Sequence, residues 1–259
     1  MTLAPDELQR YARHLALPSF GPAAQEKLLR SSVLVVGCGG LGSPLLAYLA
    51  AAGVGRIGFV DPDLVELSNL QRQVLHATTD IGRLKTRSAE ARLRALNPRI
   101  RLEPFPLRFS RDNARRLCSS YDAVADASDS YPVKFLLSDT CVALRKPFAL
   151  AGLSPWTGQL FSCVPGASPC LRCLYPEPPP PPPAPPAGPV SPLPGVLGSL
   201  LALEIVKLLT GLGTPLAGRL LFFDALSSES RIVQTSRRPD CPSCGARRRR
   251  PQPRKETAP

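Results

Sequence analysis

The 259-residue chain predicts an α/β fold: a Rossmann-like, doubly wound, mainly parallel sheet with antiparallel C-terminal strands and a structural zinc site. Three observations predict it. The apolar run Val33-Leu34-Val35-Val36 feeds directly into Gly37-Cys38-Gly39-Gly40-Leu41-Gly42 and then into a small-residue helical stretch. Strand and helix candidates alternate beyond it, as a parallel sheet covered on both faces requires. Two Cys-x-x-Cys pairs, Cys170/Cys173 and Cys241/Cys244, carry the sulfur count and spacing of a closed tetrahedral metal site.

In chain order, Asp6 to Arg30 reads as a helix, a turn at Pro18 to Pro22 and a second helix. Val33 to Val36 is the first strand. Gly42 to Ala52 is the helix after the glycine turn, with Pro44 in its first turn, where a missing N–H costs little. Gly53-Val54-Gly55 ends it, and Ile57 to Val60 is the second strand, closed by Asp61. Apolar residues at helical spacing predict a helix over Ile81 to Leu96, stopped by Asn97-Pro98. Further strands are expected at Ile100 to Phe105, Ala123 to Ala127, Phe148 to Leu153 and Gln159 to Val164. Helices fall between them at Arg111 to Cys118 and Pro132 to Leu144. Gly195 to Leu209 is an apolar helix interrupted by Glu204 and Lys207, too short to span a bilayer. Arg219 to Phe223 and Ser230 to Thr235 read as an antiparallel extension of the sheet.

Pro176 to Pro194 holds twelve prolines in nineteen residues. It is expected as an extended inserted loop that packs neither as helix nor as central strand. Half of the formal +12 charge lies between Arg237 and Pro259, and residues 246–259 read as a basic disordered tail rather than a nucleic-acid site. The first twenty residues include Asp6, Glu7, Arg10 and Arg13 and lack an apolar core, so no secretory signal is read there. A soluble, cytoplasmic protein without membrane attachment is expected. Its eight cysteines then bind metal or stay as thiols rather than forming disulfides.

Gly37, Gly39 and Gly42 permit a tight turn and close backbone approach, and the next helix N-terminus offers unpaired N–H groups to phosphate. Asp61 is placed to accept bonds from ribose hydroxyls. These features alone suit an NAD-dependent Rossmann oxidoreductase equally well. The residues beyond Asp61 separate the readings. Ser68-Asn69-Leu70-Gln71-Arg72-Gln73 and then Lys85 bring two cations and several neutral donors, which suit a triphosphate and a departing pyrophosphate. Lys85 on the solvated face of its helix is the competing explanation. Asp126 and Asp129 close a strand at the carboxyl edge; either offers an oxygen to Mg2+, Asp129 the better placed, and Asp129 or Ser130 also suits a helix cap. The four paired cysteines leave no open position for catalysis, whereas Cys38, Cys118, Cys141 and Cys163 sit in apolar contexts as buried thiols. His14 and His76 are too scattered to form a catalytic pair.

With these residues assembled, the chain resembles the HesA/MoeB/ThiF family of adenylyltransferases, relatives of the ubiquitin-activating enzymes. The resemblance spans about Arg10 to Gly245 and rests on Arg10-Tyr11-Ala12-Arg13, the GCGGLG turn, Asp61, SNLQRQ with Lys85, and the double CxxC. It implies a homodimer that binds ATP and Mg2+ and adenylates the C-terminal glycine of a ubiquitin-fold sulfur carrier ending in Gly-Gly, MoaD- or ThiS-like. Molybdopterin or thiamin thiazole synthesis is the implied setting. It further implies that Gly40 lies in the phosphate loop, Asp61 holds the ribose, Asn69 and Arg72 engage the phosphates, and Lys85 assists pyrophosphate departure. Asp129 corresponds to the magnesium-and-ATP aspartate, Arg13 to an arginine reaching into the partner subunit's site, and Cys170, Cys173, Cys241 and Cys244 to Zn2+ ligands. This chain departs from the family in having Ser130 where an asparagine is usual. The proline-rich crossover loop holds no cysteine, so adenylation without covalent carrier linkage is expected. A separate persulfide donor is expected to deliver sulfur.

Overall fold

The computed structural model describes residues 3–180 and 188–245. Short helices α1 (Pro5–Arg10) and α2 (Ala12–Leu15) lead into α3 (Gly21–Arg30), β1 (Ser32–Val36), α4 (Gly42–Ala52) and β2 (Arg56–Val60). Then come α5 (Lys85–Leu96), β3 (Arg101–Phe105), α6 (Arg111–Ser119), β4 (Ala123–Asp126), α7 (Tyr131–Leu144) and β5 (Phe148–Leu153). The chain continues through β6 (Thr157–Cys163), α8 (Leu171–Leu174), α9 (Pro192–Thr210), β7 (Arg219–Asp224) and β8 (Glu229–Gln234). The eight strands form one sheet in the order β3-β2-β1-β4-β5-β6-β7-β8. The first five pair in parallel and the last three antiparallel, as the sequence predicts.

Strand alternation sends side chains to two cores. Val33, Val35, Ile57, Phe59, Ala125 and Ala151 pack with α3, α4 and α9 on one face. Leu34, Val36, Val60, Val124 and Phe148 pack with α6 and α7 on the other. Both faces are therefore covered, and the exposed end of the parallel strands, where β1 and β4 send their connections to opposite faces, is the place such sheets leave for a ligand.

Two expectations require correction. The helix predicted from Ile81 begins at Lys85. Residues 82–85 instead pair with 63–65: Gly82 N–H bonds to the Val65 carbonyl, Val65 N–H to Arg83, and Lys85 N–H to Asp63, each at 2.8–2.9 Å. Gly82, at φ +83°, makes the bend that an L-residue resists. The second correction concerns α9. It starts at Pro192, inside the segment read as loop, because prolines are tolerated where a helix has no N–H bond to lose. At nineteen residues α9 is long and apolar enough to cross a membrane by composition. It packs as a core helix instead: Leu193, Leu197, Leu201 and Ile205 are buried, and buried Glu204 accepts the Leu216 N–H at 2.7 Å. Residues 181–187 and the basic tail 246–259 lie outside the described residues.

Candidate active site

The glycine turn is held by backbone contacts that exclude side chains. Gly37 has φ +102°, and a Cβ there would meet the Ala127 carbonyl oxygen at 2.8 Å. A Cβ on Gly42 would stand 2.1 Å from the Gly37 oxygen. Gly42 opens α4, and Ser43 N–H bonds back to the Gly39 carbonyl at 2.8 Å. The peptide of Cys38 is pinned on both sides. Its N–H donates to Asp61 Oδ2 at 2.8 Å, and its carbonyl accepts from His76 Nε2 at 3.0 Å.

Asp61 is buried at the end of β2, and its Oδ1 accepts the Asp63 N–H at 2.9 Å. Each carboxylate oxygen thus keeps a lone pair for a hydroxyl donor. Lys85, the first residue of α5, is 6% exposed and its ammonium pairs with Asp63 Oδ2 at 3.0 Å. It is not on a solvated helix face. Burial pushes the Cys38 thiol up, with Asp61 adding to the effect and Lys85 opposing it, so both charges act at the glycine turn.

The SNLQRQ segment folds over the same turn. Ser68 and Asn69 end a short 3-10 turn, Leu67–Asn69, and the Asn69 amide donates to Ser68 Oγ at 3.3 Å. Arg72 donates to the Ser68 carbonyl at 3.2 Å, and its Cγ lies 3.5 Å from where a Cβ on Gly40 would be. Leu70 contributes backbone, its N–H bonding to the Leu67 carbonyl at 3.2 Å. Gln71 Oε1 accepts from Ser191 Oγ at 2.6 Å, and Pro194 packs against Gly40. The start of α9 is thereby tied to the glycine turn.

At the end of β4 the two aspartates part. Asp126 is fully buried and bonds Lys134 and Ser128, so it is not free for an outside cation. Asp129 is exposed and has no hydrogen bond or ion pair among the described residues. Ser130 occupies the cap position of α7, yet its hydroxyl makes no cap bond. Arg13, on α2, is exposed and without a partner among the described residues. The structure brings Gly37, Gly39, Gly40, Gly42, Asp61, Arg72 and Lys85 together. Arg13 makes no hydrogen bond or ion pair to any of them among the described residues.

Sequence reasoning missed His76 and Lys134, since neither belongs to a motif. His76 is 7% exposed; besides the Cys38 carbonyl it meets Ser88 Oγ at 2.8 Å, and Ser88 meets Asp80 at 2.8 Å. Burial is the first cause lowering its pKa below the ordinary histidine value. His76 therefore braces the glycine turn from behind through the Cys38 carbonyl and Ser88.

The sulfurs of Cys170, Cys173, Cys241 and Cys244 lie within 4.8 Å of one another. A tetrahedral zinc with bonds of about 2.3 Å separates its sulfurs by about 3.8 Å, so this cluster needs only small adjustments to hold the ion. Backbone N–H groups approach two of the sulfurs, Arg238 to Cys173 at 3.4 Å and Cys244 to Cys241 at 3.5 Å, an arrangement that favours thiolate. The remaining Cys38, Cys118, Cys141 and Cys163 are buried free thiols.

The glycine turn after β1, the buried carboxylate of Asp61 at the end of β2 and the mainly parallel sheet define a Rossmann-like fold, with a separate cluster of four cysteines that could hold a metal ion. The chain matches the ThiF family over residues 11–243, and it belongs to that family. It is 47% identical over 248 residues to a Thermus thermophilus sulfur carrier protein adenylyltransferase, covering 93% of this chain and 92% of that one. It is 44% identical to the SAMP-activating enzyme E1 of Haloferax volcanii, covering 95% and 92%. Identity to the adenylyltransferase and sulfurtransferase MOCS3 of Bos taurus is 46%, and the match spans only 55% of that longer protein. The solved structure of E. coli MccB with MccA-N7isoASN superposes with TM-score 0.83 at 24% identity, covering 92% of this chain and 74% of that one, which shows the fold. These relatives leave the oxidoreductase alternative without support.

Proposed function

We propose that this enzyme adenylates the C-terminal glycine carboxylate of a small ubiquitin-fold sulfur carrier, using ATP and releasing pyrophosphate. The carrying observation is that Asp61 and the stem of Arg72 lie against one glycine turn, with buried Lys85 paired to Asp63 two residues beyond Asp61, in a chain 47% identical to a sulfur carrier adenylyltransferase. The reaction needs no enzyme nucleophile. The carrier carboxylate attacks the α-phosphorus in line, the bond to the bridging β-phosphate oxygen breaks, and pyrophosphate leaves, giving a carrier acyl-adenylate.

In this reading the N–H groups at the turn and at the start of α4 hold phosphate oxygens, while Asp61 accepts from the ribose. Asn69 and Arg72 orient the phosphates, with Ser68, Leu70 and Gln71 shaping the segment that carries them. Lys85 neutralises charge on the departing pyrophosphate. Asp129, an exposed carboxylate just past the strand end with no hydrogen bond or ion pair among the described residues, and neighbouring Ser130 suit Mg2+, which when bound neutralises phosphate charge. The cysteine cluster suits structural Zn2+.

The functional unit is proposed as a homodimer in which Arg13 of each copy completes the other's site. An open apolar groove of about 850 Å3, lined by Tyr48, Val74, Leu96, Pro192 and Val196, adjoins the segment around Arg72 and gives a second copy a surface to cover. A cytoplasmic location, a carrier of the molybdopterin or thiamin type, and sulfur delivery by a separate persulfide donor belong to the same reading; no cysteine occurs in residues 174–240. The test is ATP–pyrophosphate exchange with magnesium and Gly-Gly-ended carrier proteins. Exchange is expected only when a carrier is present and should collapse in Lys85→Ala; tight binding of NAD with no binding of ATP, by calorimetry, would defeat the reading.

A further inference from the structure

We propose that Lys134 is a positioning residue that sets where Asp129 stands against the nucleotide; the proposal rests on the reading of Asp129 as the magnesium-side carboxylate. Lys134 lies in the first turns of α7 and is 5% exposed. An ammonium has three protons to donate, and all three are used. Nζ bonds Asp126 Oδ1 at 2.8 Å, the Ser128 carbonyl at 2.7 Å and the Ala151 carbonyl at 2.6 Å. One side chain therefore ties α7 to the end of β4, to the turn beyond it, and to β5.

The held turn is the one on which the glycine loop rests. Ala127 N–H bonds the Val36 carbonyl at 2.8 Å, and Gly37 approaches the Ala127 carbonyl so closely that a Cβ would clash. Ser128 N–H and Oγ both donate to Asp126 Oδ1 at 2.9 Å. Residues 127–128 are thus gripped by the phosphate loop on one side and by the Lys134–Asp126 pair on the other. Asp129 comes next with no hydrogen bond or ion pair of its own among the described residues, so its place is inherited from this grip.

Charge neutralisation alone does not explain the arrangement. Asp126 Oδ2 is buried without a hydrogen-bond partner, and a buried ion pair is weak support for stability compared with a neutral pair of similar volume. What the pair supplies is direction: three divergent bonds from one atom fix three backbone segments relative to each other.

The test compares full-length wild type, the double variant Asp126→Asn/Lys134→Met, Ser128→Ala and Asp129→Asn. The double variant removes both charges together, leaving no lone buried ion. ATP binding is measured by calorimetry with and without magnesium, alongside thermal unfolding. The double variant is expected to fold and to lose about tenfold or more of the tightening that magnesium brings, read as the ratio of its affinities with and without the metal. Ser128→Ala, which keeps the charge pair and removes one bond, should show a smaller loss in the same direction, and it decides the matter if the double variant does not fold. Full magnesium-dependent tightening in both variants, with loss in Asp129→Asn, overturns the positioning role and leaves the Asp129 reading standing. Full tightening in Asp129→Asn overturns that reading and the proposal with it.

Discussion

Lys85 shows how much one buried cation is asked to do. It is nearly sealed from water and has Asp63 as its ion-pair partner, so in the proposed reaction its charge would be in place without reorganisation. Lys85→Ala is expected to lower carrier-dependent pyrophosphate exchange by about 10²- to 10³-fold, with little change in Tm. His76 makes a different statement. Burial lowers its pKa, so the folded protein holds it neutral. Protonation then favours the unfolded chain, and the sign is set: this contribution is complete above the ordinary histidine value of about 6.5 and declines as pH falls below it. Thermal unfolding between about pH 7.5 and pH 5.5 should show this decline in wild type and a shallower one in His76→Gln. Asp61, Arg72 and Lys85 were legible in the sequence because an acid suited to ribose hydroxyls and cations suited to phosphates follow a glycine turn at short spacing. His76 and Lys134 were not, because each gains its role only from carbonyls supplied by remote strands or loops.

At the scale of elements, the parallel strands and their order of appearance were readable from apolar runs and their punctuation. The start of α5 was not. Periodicity extends from Ile81, but pairing of 82–85 with 63–65 takes those backbone groups before a helix can use them. The start of α9 was hidden by composition, since proline reads as loop and here occupies a first turn. The turn from β1 to α4 was legible because only glycine satisfies it. Gly42→Ala, with its Cβ forced to 2.1 Å from a carbonyl oxygen, should cost about 1–3 kcal/mol in urea unfolding and weaken ATP binding measured by calorimetry. Leu201→Ala, in the buried middle of α9, should cost about 2–5 kcal/mol while sparing the affinity for ATP.

For the whole molecule, the eight-stranded sheet joins a nucleotide edge to a sulfur cluster contributed by two distant stretches of chain. If that cluster holds zinc as proposed, chelation should release metal, measured by a colorimetric indicator, and lower Tm by more than about 10 °C. Oligomer formation is a property no single chain discloses, yet the open groove and unpartnered Arg13 belong to this scale. Sedimentation should give a dimer, and mixing Arg13→Ala with Lys85→Ala protein should restore a fraction of the exchange that each lacks alone.

The proline-rich span has two moorings. It leaves from Cys173 at the sulfur cluster and returns where Ser191 grips Gln71 and Pro194 lies on Gly40. A disturbance at Ser191 or Pro194 is therefore felt at the glycine turn. Ser191→Ala should therefore blunt nucleotide affinity, measured by calorimetry, although Ser191 belongs to none of the nucleotide motifs.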